Sequence, residues 1–155
     1  MDIPMTTPRR YWLLKSEPDT FHWNDLVRLK RDCWDGVRNH QAKNSLKAMN
    51  VGDLAFFYHS VSEKSIVGIC RIVQAAYPDP TVTDPTNPWV VVDVEPVCPM
   101  RQPITLATIK ADPALQTMAL LKQSRLSVQP VEEASFYHIL ALGQTILPPD
   151  NGALV

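Results

Sequence analysis

LAFFYHSVSEKSIVGICRIVQAA, residues 54–76, holds two runs of aromatic and β-branched residues around a polar break. Leu54–His59 and Ser65–Ala76 have strand composition, and the short polar loop between them predicts a hairpin. Side chains alternate along a strand, so Phe56 and Tyr58 share one face and Phe57 and His59 the other. His59 and Ser60 then fall at a strand end.

Upstream, Tyr11–Leu14 is a short apolar run fit for a strand, and Glu17-Pro18-Asp19 stops it. Asp19 or Thr20 can cap a helix over Phe21–Lys30, with Trp23, Leu26 and Val27 on its inner face. Asn39–Met49 predicts a second helix. Ala42, Leu46 and Met49 have core spacing there, and Lys43 and Lys47 lie one turn apart on another face. Val51-Gly52-Asp53 is a turn leading into the hairpin. Downstream, Pro78, Pro80, Pro85 and Pro88 mark Tyr77–Pro88 as a loop. Trp89–Pro96 predicts a strand, Leu106–Lys110 and Pro113–Lys122 helical turns, Leu126–Pro130 a short strand, and Glu132–Leu142 a closing amphipathic helix. Strand and helix do not alternate regularly, which argues against a doubly wound sheet. The expected fold class is α+β: a small mixed β-barrel with peripheral α-helices.

The chain's 155 residues suit one compact domain. We expect residues 10–147 to form it, with a flexible segment over 1–9 and a tail over 148–155. No apolar run approaches a membrane span, and Met1–Arg10 has no stretch of signal-peptide type. The three cysteines, Cys33, Cys70 and Cys98, are widely spaced and form no CxxC or Cys/His cluster. Buried free thiols, no metal and a reducing compartment follow: the cytosol, or the nucleus in a eukaryote. Net charge is −1. A protein that coats duplex backbone by counterion release is usually strongly basic, so any nucleic-acid binding must come from a local site.

Four polar-aromatic clusters are candidates for that site. Tyr11–Pro18 places Lys15, Ser16 and Glu17 at a strand end, where polar groups can converge on a ligand; a solvated end with a cap is the plain alternative. In Cys33–Ala42, Trp34 stands before Asp35-Gly36. Its indole can stack on a base while Gly36 lets backbone approach closely, or it can simply fill a core above a tight turn. In Ala55–Ser60, a neutral His59 can read an amide-like base edge or be satisfied by a neighbour. In Arg125–Pro130, Arg125, Ser127 and Gln129 alternate with apolar residues and would share one face of a strand, as contacts or as ordinary solvent face.

Enzyme signatures are missing: no G-x-S-x-G elbow, Gly-rich phosphate loop or H-E-x-x-H. Cys33 with His40 or His59, or Ser16 with His59, would make a nucleophile–imidazole pair, but without a local signature.

Together the clusters resemble the EVE domain family. The matching stretches are YWLLKSEPDTF from Tyr11, CWDGVRNHQAKNSLKAM from Cys33, GDLAFFYHS from Gly52, GICRIVQAAYPD from Gly68 and RLSVQPV from Arg125. They span nearly the whole chain in family order. The resemblance implies a PUA-like fold and kinship with YTH domains, which grip a methylated adenine in an aromatic cage. Thymocyte-type EVE proteins are associated with modified cytosine in DNA. By that analogy Trp34 is a cage wall, flanked by Gly36, Val37 and Asn39. Lys15, Ser16 and Glu17 lie at the pocket edge, Tyr58, His59 and Ser60 close another side, and Ser127 and Gln129 complete it. Arg38, Lys43, Lys47 and Arg125 are the implied phosphate contacts. His40 stands where the family commonly has tyrosine, and Lys43 where it commonly has arginine. The expected function is a monomeric, cofactor-free, non-enzymatic module that holds a modified base, such as methylated cytosine, of DNA or RNA, away from any membrane. A nucleoside-like small-molecule sensor and an enzyme acting on nucleic acid are the alternatives.

Overall fold

The structure, a computed structural model, describes residues 8–149. The expected flexible segment and tail therefore lie outside the described residues, except for Pro8, Arg9, Pro148 and Pro149. The elements in order are β1 (Tyr11–Ser16), α1 (Trp23–Leu29), β2 (Asp32–Cys33), α2 (His40–Ala48), β3 (Leu54–His59), β4 (Ser65–Pro78) and β5 (Val90–Thr105), then α3 (Leu106–Ala111), a 3₁₀ turn (Pro113–Leu115), α4 (Ala119–Lys122), β6 (Val128–Val131) and α5 (Glu133–Leu142). The six strands form one sheet in the order β2-β5-β4-β3-β1-β6. β1 runs parallel to β3, and the other pairs are antiparallel.

The fold is mixed α+β, but the expected barrel does not close. The long β4–β5 ladder shifts register repeatedly, and such bulges bend strands and strengthen their twist. The sheet curls as a result. Its edge strands are too short to join: β2 has two residues, and β6 has four with Pro130 among them. β5 also runs well past the predicted stop at Pro96. Beyond Val94 it pairs with β4 alone, so Pro96, Pro99 and Pro103 can turn their missing donors to the open side.

Alternation along the central strands builds two cores. Tyr11, Leu13, Leu54, Phe56 and Tyr58 face one way and meet Ile109, Leu115, Phe136 and Ile139. Phe56 stacks on Phe136 with ring centroids 4.4 Å apart. Trp12, Leu14, Ala55 and Phe57 face the other way and meet Trp23, Leu26, Trp34, Ala42 and Leu46 from α1, α2 and the segment between them. The buried Trp12 donates its indole N–H to Asp53 at 3.0 Å, and Asp53 also accepts the Arg10 and Asn50 N–H groups. Cys70 is buried, whereas Cys33 and Cys98 are partly exposed rather than buried as expected; all three are free.

α1 departs from its predicted bounds. His22 is the N-cap instead of Asp19 or Thr20: its ring accepts the Asn24 N–H while Asp25 accepts the His22 N–H, a reciprocal capping box. Asp19 and Thr20 belong to a turn closed by the Thr20 N–H to the Glu17 carbonyl. The short helix rests only Trp23 and Leu26 on the sheet, and Val27, expected inside, is 46% exposed.

Gly68 gives a sharp test of this packing. A Cβ there would lie 2.6 Å from the Trp23 ring, closer than real carbon contacts. Gly68→Ala must push α1 off the sheet, and the expected cost is about 1–3 kcal/mol of stability in urea unfolding. An unchanged midpoint would mean that α1 is not packed as described.

Candidate functional site

β1 and β2 run in opposite directions within the sheet, yet their C-terminal residues and the turns that follow them line one cleft. After β1, the Glu17 carbonyl accepts the Thr20 and Phe21 N–H groups, and the Ser16 hydroxyl donates to the Phe21 carbonyl at 2.7 Å. After β2, the Trp34 N–H bonds the Val92 carbonyl at 2.7 Å, and the chain then turns at Gly36 with φ of 76°. That left-handed conformation explains the glycine. The cleft between these turns has a volume of about 440 Å³, within the range of small-ligand sites. Lys15, Ser16, Glu17, Thr20 and Phe21 line it from β1 and the turn after it, and Asp32, Cys33, Trp34, Asp35 and Gly36 from β2 and the turn after it.

Trp34 is the main apolar wall. It is 7% exposed and set against Phe57 (5.3 Å, 88°) and Phe21 (6.1 Å, 76°) in T-shaped contacts. Its indole N–H donates to none of the described residues, although a buried tryptophan N–H usually finds a partner. Nor is it sealed from solvent, for the one buried side-chain polar atom without a partner among the described residues is Gln129 Oε1. The indole therefore keeps an unused donor at the cleft wall.

The rim is acidic. Glu17, Asp32 and Asp35 stand against Lys15. The Lys15 ammonium is already committed: it donates to the Ser124 carbonyl at 2.8 Å and lies 5.9 Å over the Tyr58 ring, and burial lowers its pKa. The Cys33 thiol is pushed up by burial and by the charges of Asp35, Asp32 and Asp93, so it stays protonated at neutral pH. A thiol so held is a poor nucleophile.

Of the residues read from sequence as pocket residues, Lys15, Ser16, Glu17, Trp34 and Gly36 come together here. Ser60 and Ser127 stay beside the same strand end: the Ser60 N–H bonds the Ser16 carbonyl, and the Lys15 N–H bonds the Ser127 carbonyl. The others are occupied elsewhere. Val37 is core, Asn39 caps α2 by accepting the Ala42 N–H, and Tyr58 is buried beneath Lys15. His59 is 1% exposed with both ring nitrogens engaged, Nε2 by the Trp23 N–H at 3.0 Å and Nδ1 by Glu63 at 2.9 Å. A neutral imidazole has one donor and one acceptor, so nothing remains to read a base edge. The expected polar face of Arg125, Ser127 and Gln129 does not form, because β6 begins only at Val128 and Gln129 is fully buried, donating to the Leu126 carbonyl. Sequence reasoning missed Phe21, whose signal was an aromatic set between turn residues.

His22, His59 and Glu63 bring ligand atoms within 4.8 Å of one another. The Trp23 N–H on Nε2 fixes the His59 proton on Nδ1, where it is donated to Glu63. A metal at Nδ1 would have to displace that proton while Nε2 still accepts, which demands an imidazolate. The hydrogen bonds run from the Trp23 N–H through His59 to Glu63 and tie α1 to the end of β3, while the His22 ring packs on His59 at 4.4 Å.

Beyond Gly36 lies a basic and aromatic group. Arg38 pairs with Asp79 at 3.0 Å and lies 5.7 Å over the Trp89 ring. Lys43 is 5.8 Å over the same ring, and His40 stacks on it at 4.8 Å and 28°. Lys47, exposed, lies one turn further along α2, and Arg125 is exposed ahead of β6. Trp89 and Asp79 were not singled out in the sequence.

Residues 10–142 match the EVE domain family. Mouse thymocyte nuclear protein 1 is 39% identical over an alignment that covers 87% of this chain and 74% of that protein. The crystal structure of human THYN1 protein in complex with 5-methylcytosine containing DNA superposes with a TM-score of 0.81 at 37% identity, covering 88% of this chain and 99% of that one. The YTH domain of the Zygosaccharomyces rouxii MRB1 protein, in complex with N6-methyladenosine RNA, superposes with a TM-score of 0.52 at 15% identity over 90% of this chain and 89% of that one, a likeness of fold alone. No helix of the described residues is long and apolar enough to cross a membrane.

Proposed function

The chain belongs to the EVE domain family, and from that premise we propose that it holds a modified base of DNA or RNA in the cleft between Trp34 and the turn from Ser16 to Phe21. The observation that carries the reading is the Trp34 wall with its unused indole donor. A base needs a ring surface and polar partners at its edge; Trp34 offers the indole, and Ser16, Glu17, Asp32 and Asp35 line the same cleft with polar groups. The acidic rim suits cytosine in particular, because a carboxylate accepts from its exocyclic amino group and repels the carbonyl that thymine carries there. 5-Methylcytosine is accordingly the base we assign, in keeping with the human relative's complex.

Stacking on an aromatic ring contributes about 1–3 kcal/mol, and extracting a base from a duplex costs a few kcal/mol. Edge bonds and phosphate contacts must make up the difference. A methyl group in an apolar slot adds about 0.8 kcal/mol, which gives preference rather than absolute discrimination. Arg38, Lys43, Lys47 and Arg125 are the proposed phosphate contacts. The module binds as a monomer and performs no chemistry on the base; the protonated Cys33 thiol supports this.

The test is titration of matched oligonucleotides carrying 5-methylcytosine, cytosine or thymine, single- and double-stranded, at several salt concentrations. With two to four phosphates contacted, the slope of log K against log salt should be about −1.5 to −3.5. A slope steeper than about −6 would mean an extended backbone tract and a different binding mode. Lys43→Ala should weaken all the oligonucleotides alike, since a phosphate contact carries no base information. Free 5-methyldeoxycytidine binding as tightly as the oligonucleotide would favour a small-molecule sensor instead.

A further inference from the structure

We propose that the His40–Trp89 stack is a second base platform, which takes the nucleotide next to the one held in the cleft. The inference rests on the base-holding reading and extends it to a second nucleotide. Trp89 is half-buried at the start of β5, and His40 is exposed at the start of α2. Their rings stack at 4.8 Å and 28°, so the imidazole's outer side faces solvent. Arg38 and Lys43 flank the same indole at 5.7 and 5.8 Å. An open π surface bordered by two cations matches a nucleotide, with the base on the ring and the phosphate on the cations.

The platform is tied to the cleft. Asp79 Oδ2 accepts both the Gly36 N–H, at the cleft wall, and an Arg38 N–H, at the platform. Thr81 saturates the other oxygen with its N–H and hydroxyl. The carboxylate is buried and fully bonded, and it anchors Arg38 beside the Trp89 ring. Gly36 and Arg38 are two residues apart, at most roughly 7 Å of chain, on the scale of one nucleotide step. A base in the cleft therefore directs its neighbour toward His40. The plain alternative is that His40 and Trp89 only pin α2 to the loop before β5.

The experiment compares three ligands: 5-methyldeoxycytidine monophosphate, a single-stranded trinucleotide with 5-methylcytosine at its centre, and the same trinucleotide with abasic flanks. For the wild-type protein, removing the flanking bases should weaken binding about tenfold, the order set by one stacked base. His40→Ala and Trp89→Ala should each weaken the intact trinucleotide about tenfold and leave the abasic one and the monophosphate within twofold. Trp34→Ala should weaken all three. His40 is exposed, so its variant carries the test even if Trp89→Ala fails to fold. If His40→Ala loses nothing, or loses equally on both trinucleotides, the platform is refuted and the stack is structural. If the wild type binds the monophosphate as tightly as the trinucleotide, the platform falls while the cleft stands. If it binds none of the three, the cleft reading falls and the platform with it.

Discussion

Trp34→Ala is expected to abolish the preference for a modified base and to cost about 1–3 kcal/mol of oligonucleotide binding, roughly a 5- to 150-fold loss. Trp34 lines the cleft in edge contact with Phe21, and its removal opens the slot that would fit a methyl group. The residue is also buried against Phe57, so the same change should cost about 3–5 kcal/mol of folding stability. Binding must therefore be read on protein shown to be folded. Trp34→Phe separates the two roles: it keeps a ring in the wall but removes the indole N–H. If that donor serves a base edge, the phenylalanine variant stays folded and still loses about 1–3 kcal/mol of binding. Unchanged binding by both folded variants would make Trp34 purely structural.

The second large effect is expected at Asp79. Its side chain is fully buried and pairs with Arg38, while Gly36 and Thr81 donate to it as well. Asp79→Ala leaves these donors without their acceptor and should destabilise the protein by about 3–5 kcal/mol. The pH dependence has a definite sign. Burial alone would raise the Asp79 pKa, but the bonds from Thr81, Arg38 and Gly36 outweigh it and hold the value at about 2, against an ordinary 3.8. A depressed carboxylate pKa stabilises the fold above the ordinary value, and that contribution fades as pH falls from about 4 through about 2. At 1.36 kcal/mol per pH unit it amounts to about 2 kcal/mol. Urea unfolding across pH 2 to 5 should show wild type losing that much more stability than Asp79→Ala. Parallel curves for the two proteins would contradict the assignment.

The strands were legible where composition and alternation agreed. Leu54–His59 and the hairpin partner from Ser65 came directly from β-branched and aromatic runs, and α2 from its core spacing. Boundaries failed where a cap or a register shift decided them. His22 caps α1 with its ring, a role that sequence reasoning gives first to aspartate or threonine. β5 passes three prolines because one of its sides is open. At the site, the residues that converge sit at the ends of β1 and β2 and in the turns after them, where a polar-aromatic run is itself the signal. His59 and Gln129 looked equally suitable in sequence, but burial and long-range partners decide their roles. Trp89 could not be placed from sequence because its meaning depends on α2 lying across it.

The most direct measurement of the central claim is an NMR titration of the labelled protein with a short oligonucleotide carrying one 5-methylcytosine, with the unmodified strand as reference. The account predicts that the largest shifts with the modified strand fall on the Trp34 indole N–H and on the backbone of residues 15–17 and 35–36. The unmodified strand should produce the same pattern, more weakly. Shifts concentrated away from these two turns, with the Trp34 indole signal unmoved at saturation, would contradict it.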